Sequence, residues 1–337
     1  MISRGILLNL NSSCNLACSY CYQKNTSDYL QEASQTLIQG LQQLLANNPS
    51  ITFIQVFGGE PILSRMLLLQ LLDYSQKLNY QRPRNQQIHI NIVTNGTIFF
   101  SELARYTDIV SLQISLDGGE TAHNTYRVFA DGTASYSAII QNIQRYRDSQ
   151  VPLQLHSVVK DVRRWSKSLP AMAKDIGDIR YTFNWDMTES NPIKDIWNVL
   201  ITRVWIERVM RRAGIRFLTP YSSHKHTSLC FGGDTFLNIN KNGEVFSCEV
   251  EFPEAKMGMF RDGRFEFTAK TDQDILAKQD LSRYKIHHLL WGSSYIIKRM
   301  TTYTICNFRN KSITGNQYRI PFRDVIRTAI AQSLPLR

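Results

Sequence analysis

The feature that most constrains the fold is a regular alternation of short apolar segments with longer amphipathic ones. Strands are predicted at residues 5–10, 51–57, 88–94, 108–116, 152–159 and 179–185, and helices at 33–46, 64–78, 136–147 and 163–175. Strands that alternate with helices indicate a parallel sheet with right-handed crossovers. We count six strand–helix units up to about residue 213. Either a partial (β/α)6 barrel or an open doubly wound sheet satisfies this pattern.

The alternation stops near residue 214, and the sequence predicts a different unit there. Two alternating runs, 235–239 and 244–246, flank the turn Asn240-Lys-Asn-Gly243, which predicts a hairpin. Residues 256–263 resemble the loop that follows such a hairpin. We therefore expect two domains, 1–213 and 214–337.

Composition excludes several classes of protein. Hydrophobic residues make up 43% and charged residues 20%, as in globular rather than disordered or low-complexity chains. The sequence has neither an apolar run of roughly 18 residues nor an export signal, so we expect a cytoplasmic protein without a membrane span. The net charge of +11 favours anionic partners, although an ordinary solvated surface explains it equally well. No block of five like charges is present, which argues against nucleic acid.

Three of the six cysteines lie in one short loop after the first predicted strand. Cys14, Cys18 and Cys21 form a CxxxCxxC triplet. In a chain without an export signal, such a cluster indicates metal or redox chemistry rather than disulfides. Zinc normally takes four ligands, whereas three thiolates suit an iron–sulfur cluster that keeps one iron open.

The triplet resembles the signature of the radical S-adenosylmethionine (radical SAM) superfamily. The resemblance implies a 4Fe-4S cluster on Cys14, Cys18 and Cys21 whose open iron is chelated by SAM. Reductive cleavage of SAM then gives a 5′-deoxyadenosyl radical that removes a hydrogen atom from the substrate. Tyr20 matches the aromatic residue that packs near the adenine in this family.

Three further motifs follow successive predicted strands. They are Gly58-Gly59-Glu60-Pro61, Thr94-Asn95-Gly96-Thr97, and Ser115-Leu-Asp117-Gly followed by His123 and Arg127. Each alone is explained equally well by an ordinary turn. The resemblance implies that the glycines and Glu60 bind the methionine amino group, that Ser115 contacts the ribose or carboxylate, and that Arg127 binds the carboxylate. The full set of SAM contacts expected in this way is Tyr20, Gly58, Gly59, Glu60, Thr94, Asn95, Ser115, Asp117 and Arg127.

The last third resembles the SPASM and Twitch extensions of the peptide-modifying branch. Cys230, Gly243 and Cys248 follow the spacing CX12GX4C, and Cys306 remains from the longer pattern. The resemblance implies a reduced, Twitch-like domain with one auxiliary 4Fe-4S cluster on Cys230, Cys248 and Cys306. Structural, buried thiols are the alternative.

Other candidate site residues lie near these motifs. Glu249 directly follows Cys248, where the similar sulfatase-maturating enzymes have an acid/base residue, although an ordinary solvated glutamate fits as well. Asn184, Trp185 and Asp186 end the sixth predicted strand and are candidates for the substrate pocket. Trp185 fits a core position equally well.

The resemblance implies a partial (β/α)6 barrel of the TIM-like type, followed by a Twitch-like α+β extension. It also implies a radical SAM enzyme, an oxidoreductase or lyase, that modifies a ribosomally made precursor peptide. Crosslinking, epimerisation and backbone excision all remain open. The alternatives are a maturase of a folded enzyme, an enzyme acting on RNA or a small metabolite, and a non-catalytic iron–sulfur protein. The cluster loop begins at Cys14, which leaves no room for a recognition domain before it, so we expect a separate leader-binding partner protein. A reductase with flavodoxin or ferredoxin would supply the electron.

Overall fold

The computed structural model describes residues 5–21, 23, 32–177, 180–185, 216–217, 236–246 and 256–267. The strands are β1 (Gly5–Asn9), β2 (Phe53–Phe57), β3 (His89–Thr94), β4 (Val110–Ser115), β5 (Leu153–Val159), β6 (Arg180–Trp185), β7 (Arg216–Phe217), β8 (Phe236–Ile239), β9 (Glu244–Phe246), β10 (Lys256–Arg261) and β11 (Arg264–Phe267). The α-helices are α1 (Gln35–Asn47), α2 (Arg65–Asn79), α3 (Glu120–Tyr126), α4 (Tyr136–Asp148) and α5 (Val162–Ile176), with short 3-10 turns at Pro61–Ser64, Arg84–Gln86 and Ser101–Arg105. Every strand and helix predicted up to residue 185 is present.

The described strands form one sheet of eleven, in the order β11-β10-β9-β8-β1-β2-β3-β4-β5-β6-β7. Neighbouring strands from β1 to β7 are all parallel. The predicted α/β class with a parallel sheet is therefore confirmed. Because parallel strands end at the same edge, the loops after β1 to β5 meet there.

The two sides of the sheet differ in polarity. The helix-covered side is apolar and fully buried, with Leu8, Val56, Ile92, Ile114 and Leu155 among its members. Burial of each such side chain contributes roughly 1.5–3 kcal/mol. We call the opposite side the inner face. It carries amides at the middle of the strands, namely Gln55, Asn91, Gln113 and Gln154.

The helices begin and end at residues suited to those positions. The Ser34 side chain accepts a hydrogen bond from the Leu37 amide at 3.1 Å and caps α1. Asp161 caps α5 through the amides of Arg163 and Arg164. That helix ends at Gly177, whose φ of +62° lies in the left-handed region that favours glycine.

The crossover between β3 and β4 departs from the predicted strand–helix rhythm. It contains the Ser101–Arg105 turn and no α-helix. The Tyr146 hydroxyl of α4 fixes this segment, since it accepts from the Phe100 amide at 2.9 Å and donates to the Ile98 carbonyl at 3.1 Å. The six units are therefore not uniform.

The hairpin predicted around Asn240 and Gly243 is present as antiparallel β8 and β9. The Gly243 amide donates to the Asn240 carbonyl at 2.9 Å, and Gly243 has a φ of +76°. The interpretation of residues 256–263 as a loop is wrong, because residues 256–261 form β10. Met257 and Phe260 of that strand are buried, which a solvent loop would not allow.

Strand β8 also pairs in parallel with β1, with Gly5 opposite Phe236, a contact that the sequence did not predict. A Cβ on Gly5 would lie 2.3 Å from Cε1 of the Phe236 ring. Glycine is therefore needed where the ring crosses β1. Among the described residues, no helix is both long enough and apolar enough to cross a bilayer.

Candidate cofactor site at the strand ends

The three clustered cysteines lie on the loop that follows β1, and all are free thiols. Cys14 is exposed, Cys21 is half-buried and Cys18 is buried. The loop thus presents its thiols at different depths.

A second segment, residues 126–130 after α3, holds this loop in place. Leu16 and Phe129 form an antiparallel bridge. On either side of Cys18, the amides of residues 17 and 19 donate to the carbonyls of residues 128 and 126 at 2.8 and 2.9 Å. In this register Cys18 lies directly opposite Arg127, as a cross-strand pair on one face.

The Gly58-Gly59 pair lies against the start of the cysteine loop. The Gly59 amide donates to the Asn11 carbonyl at 2.9 Å, and the Glu60 amide donates to the Ser13 carbonyl at 2.7 Å. A Cβ on Gly58 would lie 2.4 Å from the Asn11 oxygen, and one on Gly59 would lie 2.3 Å from the Ser13 oxygen. Gly58 also has a φ of +152°. These glycines are required by the close approach of the chain to its own loop.

The Glu60 carboxylate joins the end of β2 to the end of β3. It is completely buried. Oε1 accepts from the Ile62 amide at 3.1 Å and the Thr94 hydroxyl at 2.8 Å, and Oε2 accepts from the Asn95 amide at 2.7 Å. Burial raises the pKa of Glu60, while these donors and Arg127 lower it.

Asn95 carries this connection on to the cysteine loop. Its Nδ2 donates to Asn15 Oδ1 at 2.8 Å and lies 3.7 Å from Cys14 Sγ. Thr97 closes the group, because it accepts from Asn15 Nδ2 at 2.8 Å and donates to Asn95 Oδ1 at 2.7 Å. Asn15 was not among the predicted site residues, and its position next to Cys14 was the available signal.

Tyr20, Asp117 and Arg127 form a second connection, between the loop and the end of β4. The Tyr20 hydroxyl donates to Asp117 Oδ2 and accepts from Arg127 Nη1 at 2.6 Å. Arg127 Nη1 also lies 3.8 Å from Asp117 Oδ2. Burial raises the pKa of Asp117, although Arg127 opposes this. Burial alone would lower the pKa of Arg127, but Tyr20, Cys18 and Asp117 raise it well above its ordinary value, so the guanidinium stays charged.

His123 supports this group from behind in its neutral form. Its Nδ1 accepts from the Asp117 amide at 3.1 Å. Its Nε2 lies 3.0 Å from the Ser135 hydroxyl, which itself donates to the Arg127 carbonyl at 2.8 Å. This network assigns the proton to Nε2. Burial lowers the pKa of His123 well below its usual range, consistent with a neutral ring.

The structure describes only some of the remaining predicted site residues. Ser115 ends β4 opposite His156. Asn184 and Trp185 are the last two residues of β6, and the structure describes only their backbone. Five predicted residues lie outside the described residues altogether: Asp186, Cys230, Cys248, Glu249 and Cys306.

The donor set fits an iron–sulfur cluster with an anionic ligand beside it. In the described part of the chain, no three His, Cys, Asp or Glu side chains converge closely enough for a single metal ion. A polynuclear cluster holds its thiolates farther apart and suits three cysteines from one loop. Beside them, Arg127 Nε is buried and has no acceptor among the described residues. A carboxylate there would satisfy it.

Comparison with known proteins agrees with this geometry. Residues 8–162 match the family model of the Radical SAM superfamily. A cysteine-type anaerobic sulfatase-maturating enzyme of Clostridium perfringens is 25% identical over 158 residues, which are 44% of this chain and 42% of that enzyme. The chain thus matches less than half the length of this relative.

Two groups of solved structures share the fold. The structure described as native anSMEcpe with bound AdoMet and Cp18Cys peptide has a TM-score of 0.59 at 18% identity, over 85% of this chain and 83% of that one. Streptococcus suis SuiB bound to precursor peptide SuiA has a TM-score of 0.54 at 12% identity, over 83% and 65%. The cysteine loop, the strand-end motifs and the family match agree: residues 8–162 of this chain match the radical SAM superfamily, whose members use a 4Fe-4S cluster and SAM.

Proposed function

We propose that this protein is a radical SAM enzyme that modifies a ribosomally synthesised precursor peptide. The observation that carries the reaction class is that all three strand-end motifs contact the cysteine loop directly or through one side chain. Crosslinking, epimerisation and backbone excision fit this proposal equally.

In the proposed site, Cys14, Cys18 and Cys21 hold the cluster, and SAM, when bound, supplies a carbon-centred radical that removes a hydrogen atom from the substrate. Arg127 Nε, which is buried without an acceptor, takes the SAM carboxylate. Tyr20 and Asp117 fix the guanidinium from its other side.

The other proposed SAM contacts are arranged by the same connections. Glu60 fixes the Thr94–Asn95 turn, and Gly58 and Gly59 bring that part of the chain next to the loop. Ser115, at the open end of β4, contacts the ribose or carboxylate. Each of these contacts is a proposal about the loaded enzyme.

The peptide class is supported by the relatives. Of the two solved structures, anSMEcpe holds the Cp18Cys peptide and SuiB holds the precursor peptide SuiA. A second candidate, maturation of a folded enzyme, is favoured by the 25% identity to a sulfatase-maturating enzyme. The two candidates differ in substrate and share the radical chemistry.

Other residues of the proposed enzyme lie outside the part of the chain that the structure describes. Cys230, Cys248 and Cys306 hold an auxiliary cluster in a domain that begins near residue 214, with Glu249 as acid/base and Asn184, Trp185 and Asp186 at the substrate. A separate protein binds the leader of the precursor, a flavodoxin or ferredoxin system donates the electron, and the reaction takes place in the cytoplasm.

The test is anaerobic reconstitution of the full chain, followed by SAM cleavage with dithionite. We expect about four irons at the N-terminal loop and release of 5′-deoxyadenosine. Replacement of Cys14, Cys18 and Cys21 by Ala should abolish that release; retention would refute the reaction class. Mass spectrometry of candidate precursor peptides and of a sulfatase-derived peptide then separates the two substrate classes.

A further inference from the structure

The side chain of Asn95 uses its full hydrogen-bonding capacity within the protein. A primary amide has two donor hydrogens on its nitrogen and two acceptor positions on its oxygen. Asn95 Oδ1 accepts from the Thr97 amide at 2.9 Å and from the Thr97 hydroxyl at 2.7 Å. Asn95 Nδ2 donates to Asn15 Oδ1 at 2.8 Å and to Cys14 Sγ at 3.7 Å. The side chain therefore has no donor or acceptor left for SAM.

The same contacts fix which end of the Asn95 amide faces the sulfur. The main-chain amide of Thr97 can only donate, so the atom opposite it is the Asn95 oxygen. A flipped side chain would place an NH2 group against that donor. The turn itself is held by Glu60 Oε2, which accepts from the Asn95 main-chain amide at 2.7 Å. Only 5% of Asn95 is exposed, so its N–H groups are largely shielded from water.

Cys14 Sγ accepts from two N–H groups, one local and one distant in the chain. The Leu16 amide of the same loop lies 3.4 Å from it, and Asn95 Nδ2 reaches it from the end of β3. In iron–sulfur proteins, hydrogen bonds to the sulfurs are among the factors that set the reduction potential. Reduction adds negative charge to the cluster, and a donor interacts more strongly with a more negative acceptor. A donor at the Cys14 thiolate therefore stabilises the reduced form.

We infer that the side-chain amide of Asn95 donates to the Cys14 thiolate and thereby raises the reduction potential of the N-terminal cluster. Asn95 is then a positioning residue of the cluster, and any contact that it makes with SAM comes from its main chain. The inference rests on the proposed function, because it requires the 4Fe-4S cluster on the cysteine loop. It gives the end of β3 control over how readily the cluster accepts its electron.

The experiment is redox potentiometry of the full chain, reconstituted anaerobically without SAM. Dithionite supplies one electron to the cluster, and electron paramagnetic resonance (EPR) follows the reduced form. The signal of the N-terminal cluster is the one that disappears when Cys14, Cys18 and Cys21 are replaced by Ala. Asn95→Leu keeps a similar shape and removes the donor. It should lower the equilibrium constant for reduction about tenfold, a downward shift of about 59 mV in the midpoint potential.

Two control variants separate the sulfur contact from its surroundings. Asn79 is also buried, and its Oδ1 accepts from the main-chain amide of Ile88 at 2.7 Å, at the edge of the sheet where β3 begins. Asn79→Leu should leave the potential unchanged. Asn15→Leu removes a neighbour of Asn95 whose described side-chain contacts are to Asn95 and Thr97, so it should shift the potential far less. An equal shift in either control would overturn the inference.

A measurement on the unsubstituted chain does not depend on how the variants fold. The protein is made with asparagine that carries ¹⁵N only in its side-chain amide. Pulsed EPR of the reduced, SAM-free cluster should then detect a ¹⁵N coupling, because a hydrogen bond joins that nitrogen to a cluster ligand. The coupling should persist in Asn15→Leu. Its absence from the unsubstituted protein would overturn the inference.

SAM binding and cleavage are measured in the same samples. If Asn95→Leu raises the Kd for SAM but leaves the potential of the SAM-free cluster unchanged, the side chain binds SAM; the inference then fails and the radical chemistry stands. If the potential shifts as expected but the wild type does not cleave SAM, the proposed function fails and the role of Asn95 stands. A wild type that assembles no cluster on the cysteine loop would refute both.

Discussion

Replacement of Glu60 by Gln tests whether its carboxylate organises the protein before SAM binds. Three donors point at the two carboxylate oxygens, and two of them are main-chain amides that cannot rotate away. Gln keeps one oxygen and places an NH2 group at the other position. At least one buried amide, that of Ile62 or Asn95, then faces a second donor.

The expected cost follows from that count. A buried donor without a partner costs about 1–3 kcal/mol. For a large domain, each kcal/mol lowers Tm by roughly 2–4 °C. We therefore expect Glu60→Gln to lower the Tm by roughly 2–12 °C, measured by circular dichroism under anaerobic conditions without SAM.

The matched control is Glu102→Gln. Glu102 pairs with Arg65 at the surface, and such a pair contributes about 0–1 kcal/mol. If Glu60 served only to bind the methionine amino group, its replacement would not change the Tm in the absence of SAM. Equal Tm values for the two variants would refute the positioning role.

Three further predictions concern the loop, the buried histidine and the last third of the chain. Gly59→Ala places a Cβ 2.3 Å from the Ser13 oxygen, so we expect loss of most iron from the N-terminal cluster. Ser50→Ala, at an exposed position, should keep the iron, and equal iron contents in the two variants would contradict this prediction. Burial lowers the pKa of His123 well below its ordinary 6.5. As the pH falls, the unfolded chain therefore binds the proton before the folded chain does. The free energy of unfolding should decrease by about 1.4 kcal/mol between neutral pH and about pH 5.5. His123→Gln should remove that part of the pH dependence of Tm, and an unchanged pH profile would show that the ring is not buried and neutral. With Cys14, Cys18 and Cys21 replaced by Ala, iron and sulfide analysis should still find one cluster on Cys230, Cys248 and Cys306, whereas an iron-free protein would identify these as structural thiols.

Local patterns predicted the parallel sheet well because its strands are apolar and its helices amphipathic. The period of the hydrophobic pattern depends on residues close together in the chain, and so do helix caps such as Ser34 and Asp161. Both can therefore be recognised in the sequence alone. The motifs were predicted to follow the strands, and parallel strands end at one edge of the sheet. Glu60 and Asn95 accordingly lie next to the cysteine loop in the structure.

What the sequence did not predict depends on contacts between distant segments. The bridge from Leu16 to Phe129 and the pairing of β8 with β1 have no local signature. Gly58 and Gly59 were predicted only as contacts of SAM, whereas their close approach to the backbone of Asn11 and Ser13 was not predicted. The polar supports Asn15 and Ser135 carry no motif of their own.

The pairing of β1 with β8 has a consequence for biosynthesis. Gly5 is made about 230 residues before Phe236, the residue opposite it in the sheet. At a synthesis rate of roughly 5–20 residues per second, the outer edge of β1 stays uncovered for roughly 10–50 s on each ribosome. An unpaired strand edge recruits other strands, including those of neighbouring nascent chains. The yield of soluble protein should therefore rise when few chains are made at once, or when chaperones cover this edge until β8 emerges.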